Sequence, residues 1–89
     1  MQITKRINNV SIQLEKLNQT VSDIKNQIEE LHDEMENYFD EKSEKWQESE
    51  NGELFEEKKN LVAELLESLE TIESEIENAT GLTSDIINS

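Results

Sequence analysis

From Ile3 to Tyr38 a row of apolar residues stands at positions 3, 7, 10, 14, 17, 21, 24, 28, 31, 35 and 38. Steps of four and three alternate without a break, the seven-residue repeat of a left-handed coiled coil. Position a holds Ile7, Leu14, Val21, Ile28 and Met35; position d holds Ile3, Val10, Leu17, Ile24, Leu31 and Tyr38. The next seam positions, Lys42 and Lys45, are polar, and the apolar residues move one place along to Phe39 and Trp46. Those two remain one heptad apart, so the pattern predicts a helix that continues to about residue 49 with its apolar face rotated.

The segment "ESENGE", residues 48–53, interrupts this rhythm. Asn and Gly tolerate the left-handed conformation that ends helices, which makes Gly52 a candidate C′ residue. Glu53, Glu56 and Glu57 suit the first turn of a new helix, where the dipole favours acids. A second repeat then runs through Phe55, Val62, Leu65, Leu69, Ile72, Ile76 and Ala79, interrupted by Lys58 and widened by Leu54, Leu61 and Leu66. "NATG" predicts its end, with Gly81 as another C′ cap and "LTSDIINS" as a short tail.

The expected fold is all-α: a single antiparallel helical hairpin over residues 1–89, coiled-coil in character. It has a helix at about 3–49, a turn at about 50–52, a helix at about 53–79 and a tail at 80–89. A continuous helix through Gly52 is the rival geometry, since an internal Gly costs only about 1 kcal/mol. In the hairpin, Trp46, Phe55 and Leu54 close the tip around Gly52 as a small apolar plug. A base-stacking platform would want Lys or Arg around the rings, and this tip is ringed by Glu.

Folding the arms together about that turn sets Tyr38 against Val62 and Ala63, Leu31 against Leu69, and Ile24 against Ile76 and Glu77. The second helix then ends opposite Ser22. Ile3, Ile7, Val10, Leu14, Leu17 and Val21 are left without a partner except the tail. An apolar seam of that length predicts self-association, as a homodimer or higher, or a grip on another protein. Ile at both a and d disfavours a two-stranded state, and the width of the second repeat suits a dimeric helical bundle. The e and g positions of the first arm (Thr4, Arg6, Ser11, Gln13, Asn18, Thr20, Lys25, Gln27) are mostly uncharged, so they carry little code for orientation.

Charge narrows the class of partner. The formal net charge is −14, unevenly spread. Residues 1–28 sum to +2, residues 29–77 to −15, and Asp85 adds the last −1. Such a field opposes direct binding to nucleic acid or to an anionic membrane. It predicts either a solvated coat or a surface, including Glu67, Glu70 and Glu73, that meets a basic protein. There is no Cys and no Pro, hence no disulfide framework and no thiolate metal site. No stretch approaches the ~20 apolar residues of a membrane span, and the N-terminal residues lack a secretory h-region.

Candidate chemistry is sparse. His32 is the sole imidazole, and "EELH" supplies one Glu-x-x-His pair, Glu29 and His32. The seam places both outside the core, so His32 is expected at the surface and no metal or other cofactor is expected. Without a second His or any Cys there is no nucleophile relay, and no Gly-rich phosphate loop is present. The chain is expected not to be an enzyme.

The stretch "YFDEKSEKWQESENGE", residues 38–53, resembles small acidic helical proteins of phage genomes, whose function is unassigned. The resemblance implies a cytoplasmic location in a bacterial host. By analogy it also implies a DNA-mimic role, blocking a basic, nucleic-acid-binding host protein. The expected function is protein–protein interaction of that kind; the alternative is a purely structural oligomerisation module.

Overall fold

The computed structural model describes residues 2–88. Among them every regular element is helical: α1 spans Gln2–Asp40, α2 Glu44–Gln47 and α3 Glu50–Asn88. α1 and α3 lie side by side in opposite directions, giving a rod of 68 × 14 × 14 Å. Its buried apolar residues are Val21, Leu69 and Ile76, with Leu14 and Ile28 packed against them.

The turn lies at residues 41–49, earlier than the expected 50–52. Serines set this boundary. Ser43 N-caps α2, its Oγ accepting from Trp46 N–H at 3.2 Å. Ser49 does the same for α3, accepting from Gly52 N–H at 3.2 Å while donating to the Trp46 carbonyl. Each cap satisfies a backbone donor that a helix start leaves without a partner. Gln47 closes the other end: its Nε2 donates to the carbonyls of Phe39 at 2.8 Å and Lys42 at 3.2 Å. The polar break at Lys42 and Lys45 therefore marks the end of α1 and not a rotation of its face.

Gly52 is consequently not a helix stop. It lies buried in the first turn of α3 with an ordinary negative φ. A Cβ there would fall 2.5 Å from the Gln47 carbonyl oxygen and closer still to that of Trp46. Glycine is required because α2 crosses against the start of α3, not because the backbone turns left-handed. Gly81 is not a cap either, since α3 continues to Asn88. Thr83, one heptad beyond Ile76, is buried and extends the row that faces α1. Packing along that row outweighs the ~1 kcal/mol that an internal Gly costs.

The pairing is shifted from the expected one. Ser22 and Lys25 both reach Glu73, and Tyr38 packs on Phe55 with ring centroids 5.0 Å apart. The shift is roughly one to two helical turns toward the tip. With α3 extended to Asn88, Leu14 and Val21 have intramolecular neighbours after all. Only the first turns of α1, around Ile3, run past the end of α3: Ile3 lies 22 positions before Lys25, and α3 has only 15 positions after Glu73.

The two glycines should respond oppositely to alanine. Gly52→Ala meets rigid backbone and should lower stability by about 1–3 kcal/mol. Gly81→Ala meets nothing within 4 Å and should raise it by about 0.5–1 kcal/mol. Urea unfolding of the two variants measures both; a loss at residue 81 comparable to that at 52 would contradict this account of the turn.

Candidate protein-interaction surfaces

At the tip, the four aromatic residues of the chain gather in one cluster. Trp46 stands edge-on to Phe55 and Tyr38, both at 6.0 Å, and to Phe39 at 6.1 Å. The Phe39 and Phe55 rings are nearly parallel and stacked, with centroids 6.4 Å apart. Lys42 Nζ sits 4.5 Å from the Tyr38 ring centre and 5.5 Å from that of Trp46, and Lys59 Nζ lies 5.2 Å from Phe39. These lysines cover ring faces, each contact contributing about 0.5–1 kcal/mol where solvent reaches it. Leu54 remains half-exposed at the edge. Phe39 and Tyr38 belong to this cluster, although the heptad places Tyr38 in the seam. The one-residue displacement of the apolar pattern at Phe39 was the signal for it.

Along the shaft, each helix presents two distinct stripes. In α1, apart from Ser22, the half-buried and buried positions are Ile7, Leu14, Val21, Ile28 and Met35 together with Ser11, Asn18, Lys25, His32 and Phe39. Those are heptad positions a and e. Position d points outward: Ile3, Val10, Leu17, Ile24, Leu31 and Tyr38 are 42–64% exposed. In α3 the inward set is Val62, Leu69, Ile76 and Thr83 with Leu66, Glu73 and Thr80. Leu61, Leu65, Ile72 and Leu82 are exposed.

On each helix the outward apolar row lies three residues after, or one before, an inward residue. Because the helices are antiparallel, that displacement goes to the same side of the hairpin. The result is one continuous apolar face along the rod. At its open end Ile3, Arg6, Ile7 and Val10 line a shallow groove. The expected seam residues thus divide: Ile3, Val10 and Leu17 belong to the exposed face, while Ile7, Leu14 and Val21 lie in the facing row.

The opposite side is polar apart from the exposed Ile12. Ser22 Oγ donates to Glu73 Oε2 at 2.6 Å, and Lys25 Nζ lies 2.9 Å from Glu73 Oε1. Both charged side chains are only about one-fifth exposed, 21% and 19%. The hydrogen bond from Ser22, then that from Lys25, holds the Glu73 carboxyl below its ordinary value against the opposing effect of burial. Lys25 is raised, chiefly by its hydrogen bond to Glu73, with the charges of Glu73, Glu29 and Glu70 adding. Glu73 is therefore a clasp between the helices and not part of a free acidic surface. Glu67 and Glu70 are exposed.

His32 is half-buried at an e position and not at the open surface, its Nδ1 3.9 Å from Glu36 Oε1. Ligand-type atoms of His32, Asp33 and Glu36 come within 4.8 Å of one another. His32 and Asp33 are adjacent in α1 and Glu36 is one turn on, and both carboxylates are exposed. Glu29, the partner in the sequence motif, is not among them. No described helix is long and apolar enough to cross a membrane. No protein-family model, curated protein or solved structure matches the chain.

The clasp makes stability pH-dependent with a definite sign. A depressed carboxyl stabilises the fold above its unfolded value, about 4.3 for Glu, and that contribution is lost as pH falls through the folded value. A raised lysine contributes fully below about 10.4 and loses its contribution as pH rises through its folded value. Glu73→Gln should therefore be less stable than wild type between about pH 6 and pH 9, with the gap closing below about pH 4. Paired urea titrations at pH 7 and pH 3 check this; a gap that stays constant between them would remove the clasp.

Proposed function

We propose that this protein is a non-catalytic helical module that works by binding other polypeptide chains, itself included. The observation that carries the reading is the continuous apolar face. Single exposed Leu or Ile residues are ordinary on a protein surface, but contiguous apolar area beyond a few hundred Å² marks an interaction site. Here six successive d positions of α1 and the outward leucines and isoleucine of α3 form one strip. A helical partner, or the same hairpin from another copy, completes a bundle across it.

A second surface supports a second role. Among the described residues, Lys25–Glu73 is the lysine–carboxylate ion pair, so the carboxylates of the distal half stand largely uncompensated. Self-repulsion of this kind costs stability that interspersed Lys would relieve. Such a coat fits the basic, nucleic-acid-binding surface of another protein, in a bacterial host if the phage resemblance holds. In this reading the apolar face assembles the particle and the acids, Glu67 and Glu70 among them, select the partner.

The two surfaces are separable by mutation. Leu17→Asp with Ile72→Asp should leave the circular dichroism helical and abolish association seen by light scattering, because a charge would be buried in the closed face. Glu67→Gln with Glu70→Gln should leave association intact. That pair should weaken binding to a basic nucleic-acid-binding protein in titration calorimetry, with affinity falling steeply from about 50 to 300 mM salt. A face variant that associates like wild type would defeat the main reading. Glutamine variants that bind unchanged would leave a purely structural module.

A further inference from the structure

A row of five side chains flanks the apolar face on α1. It holds the g positions Arg6, Gln13, Thr20, Gln27 and Glu34, all exposed. They lie one residue before the inward a positions, hence on the same side as the d row. Read in order the row is one cation, three neutral residues and one anion. Reversed and laid on itself about Thr20, it sets Arg6 against Glu34, Gln13 against Gln27 and Thr20 against Thr20. The d row does the same about the midpoint between Leu17 and Ile24: Ile3 meets Tyr38, Val10 meets Leu31, and Leu17 meets Ile24. The two rows share a centre to within one residue. Complementarity to its own reversal is the property an isologous two-fold interface requires.

We infer that a second copy of this chain closes the apolar face, α1 against α1, antiparallel, with the two-fold axis beside Thr20 and the tips at opposite ends. The inference rests on reading that face as an interaction surface and specifies its occupant. Charge favours the orientation. Residues 29–69, which form the tip half, carry fifteen acids against four lysines, a net of −11; the open-end half carries the remaining −3. Placing the tips together would set −11 against −11, whereas the antiparallel arrangement sets −11 against −3. It also brings Lys5 and Arg6 of one copy to the acidic end of the other.

The size is sufficient. The overlap is roughly 57 Å on α1 and roughly 36 Å on α3, each about 10 Å wide, on the order of 900 Å² per copy. A stable protein–protein interface needs about 800 Å² per partner.

Sedimentation equilibrium of the full chain, with charge swaps and cysteine trapping, tests this. Wild type should sediment as a dimer of the 10.4 kDa chain. Arg6→Glu places like charges at two symmetric sites and should raise the dimer dissociation constant about tenfold. Glu34→Arg is the discriminating variant. Net-charge relief alone would tighten the dimer, whereas loss of the Arg6 pairing should loosen it, again about tenfold. The double swap should return within about threefold of wild type. The chain has no native Cys, so Thr20→Cys should form a self-disulfide on mild oxidation, read by mass spectrometry even if a charge variant folds poorly.

A wild-type monomer at several hundred micromolar overturns the inference. So does a dimer that Glu34→Arg tightens and Thr20→Cys does not link. That second result would leave the apolar face as an assembly surface in another orientation. If the aspartate changes at Leu17 and Ile72 alter no association at all, both this inference and the functional reading fall.

Discussion

A helix packed against one neighbour buries one stripe, and each long helix of this chain carries two. The a and e positions of α1 meet the matching row of α3 around Val21, Leu69 and Ile76. That contact uses up the single side each helix can offer the other. Everything apolar at the d positions is then turned outward together, because the helices run antiparallel. The fold of the hairpin is defined by one seam, and the same geometry that makes the seam leaves a second apolar strip exposed.

The seam would be ambiguous without the features at its two levels. Rows of Ile, Leu and Val can slide past one another by a turn at little cost, since every turn looks alike. The Ser22–Glu73–Lys25 clasp breaks that symmetry, because sliding would leave a partly buried carboxylate without its donors. At the tip, Tyr38, Phe39, Trp46 and Phe55 pack ring against ring, contacts that a slid register would separate. Ser43, Gln47 and Ser49 then satisfy the backbone groups exposed by two helix ends in close succession.

The helical nature of the chain and the long first helix were legible in its heptads. The departures of the fold from the heptad pattern share a cause. The sequence predicts stops at Gly52 and Gly81 because glycine tolerates the left-handed region. The real constraint at Gly52 is the approach of another segment's backbone, which local sequence cannot display. At Gly81 tertiary packing of the Thr83 row overrides a weak propensity. The choice between a/d and a/e packing depends on which neighbour a helix meets, so an intact a/d repeat did not reveal that the d row faces away. For the same reason Glu73 read as one more surface acid until the fold brought Ser22 and Lys25 to it.

That separation of e from g also changes what the charges mean. Pooled, the e and g residues of α1 look like a featureless polar set. Once the fold takes Ser11, Asn18, Lys25 and His32 inward, the g row alone borders the open face, and its cation and anion stand at opposite ends. The acids of the tip half deepen the asymmetry, for they make the rod an object with one strongly negative end. In the proposed dimer, a single apolar strip would bring two copies together without fixing their direction. The polar border, with a sign at each end, would supply that direction at the edge of the contact, where neither charge need be stripped of water to act.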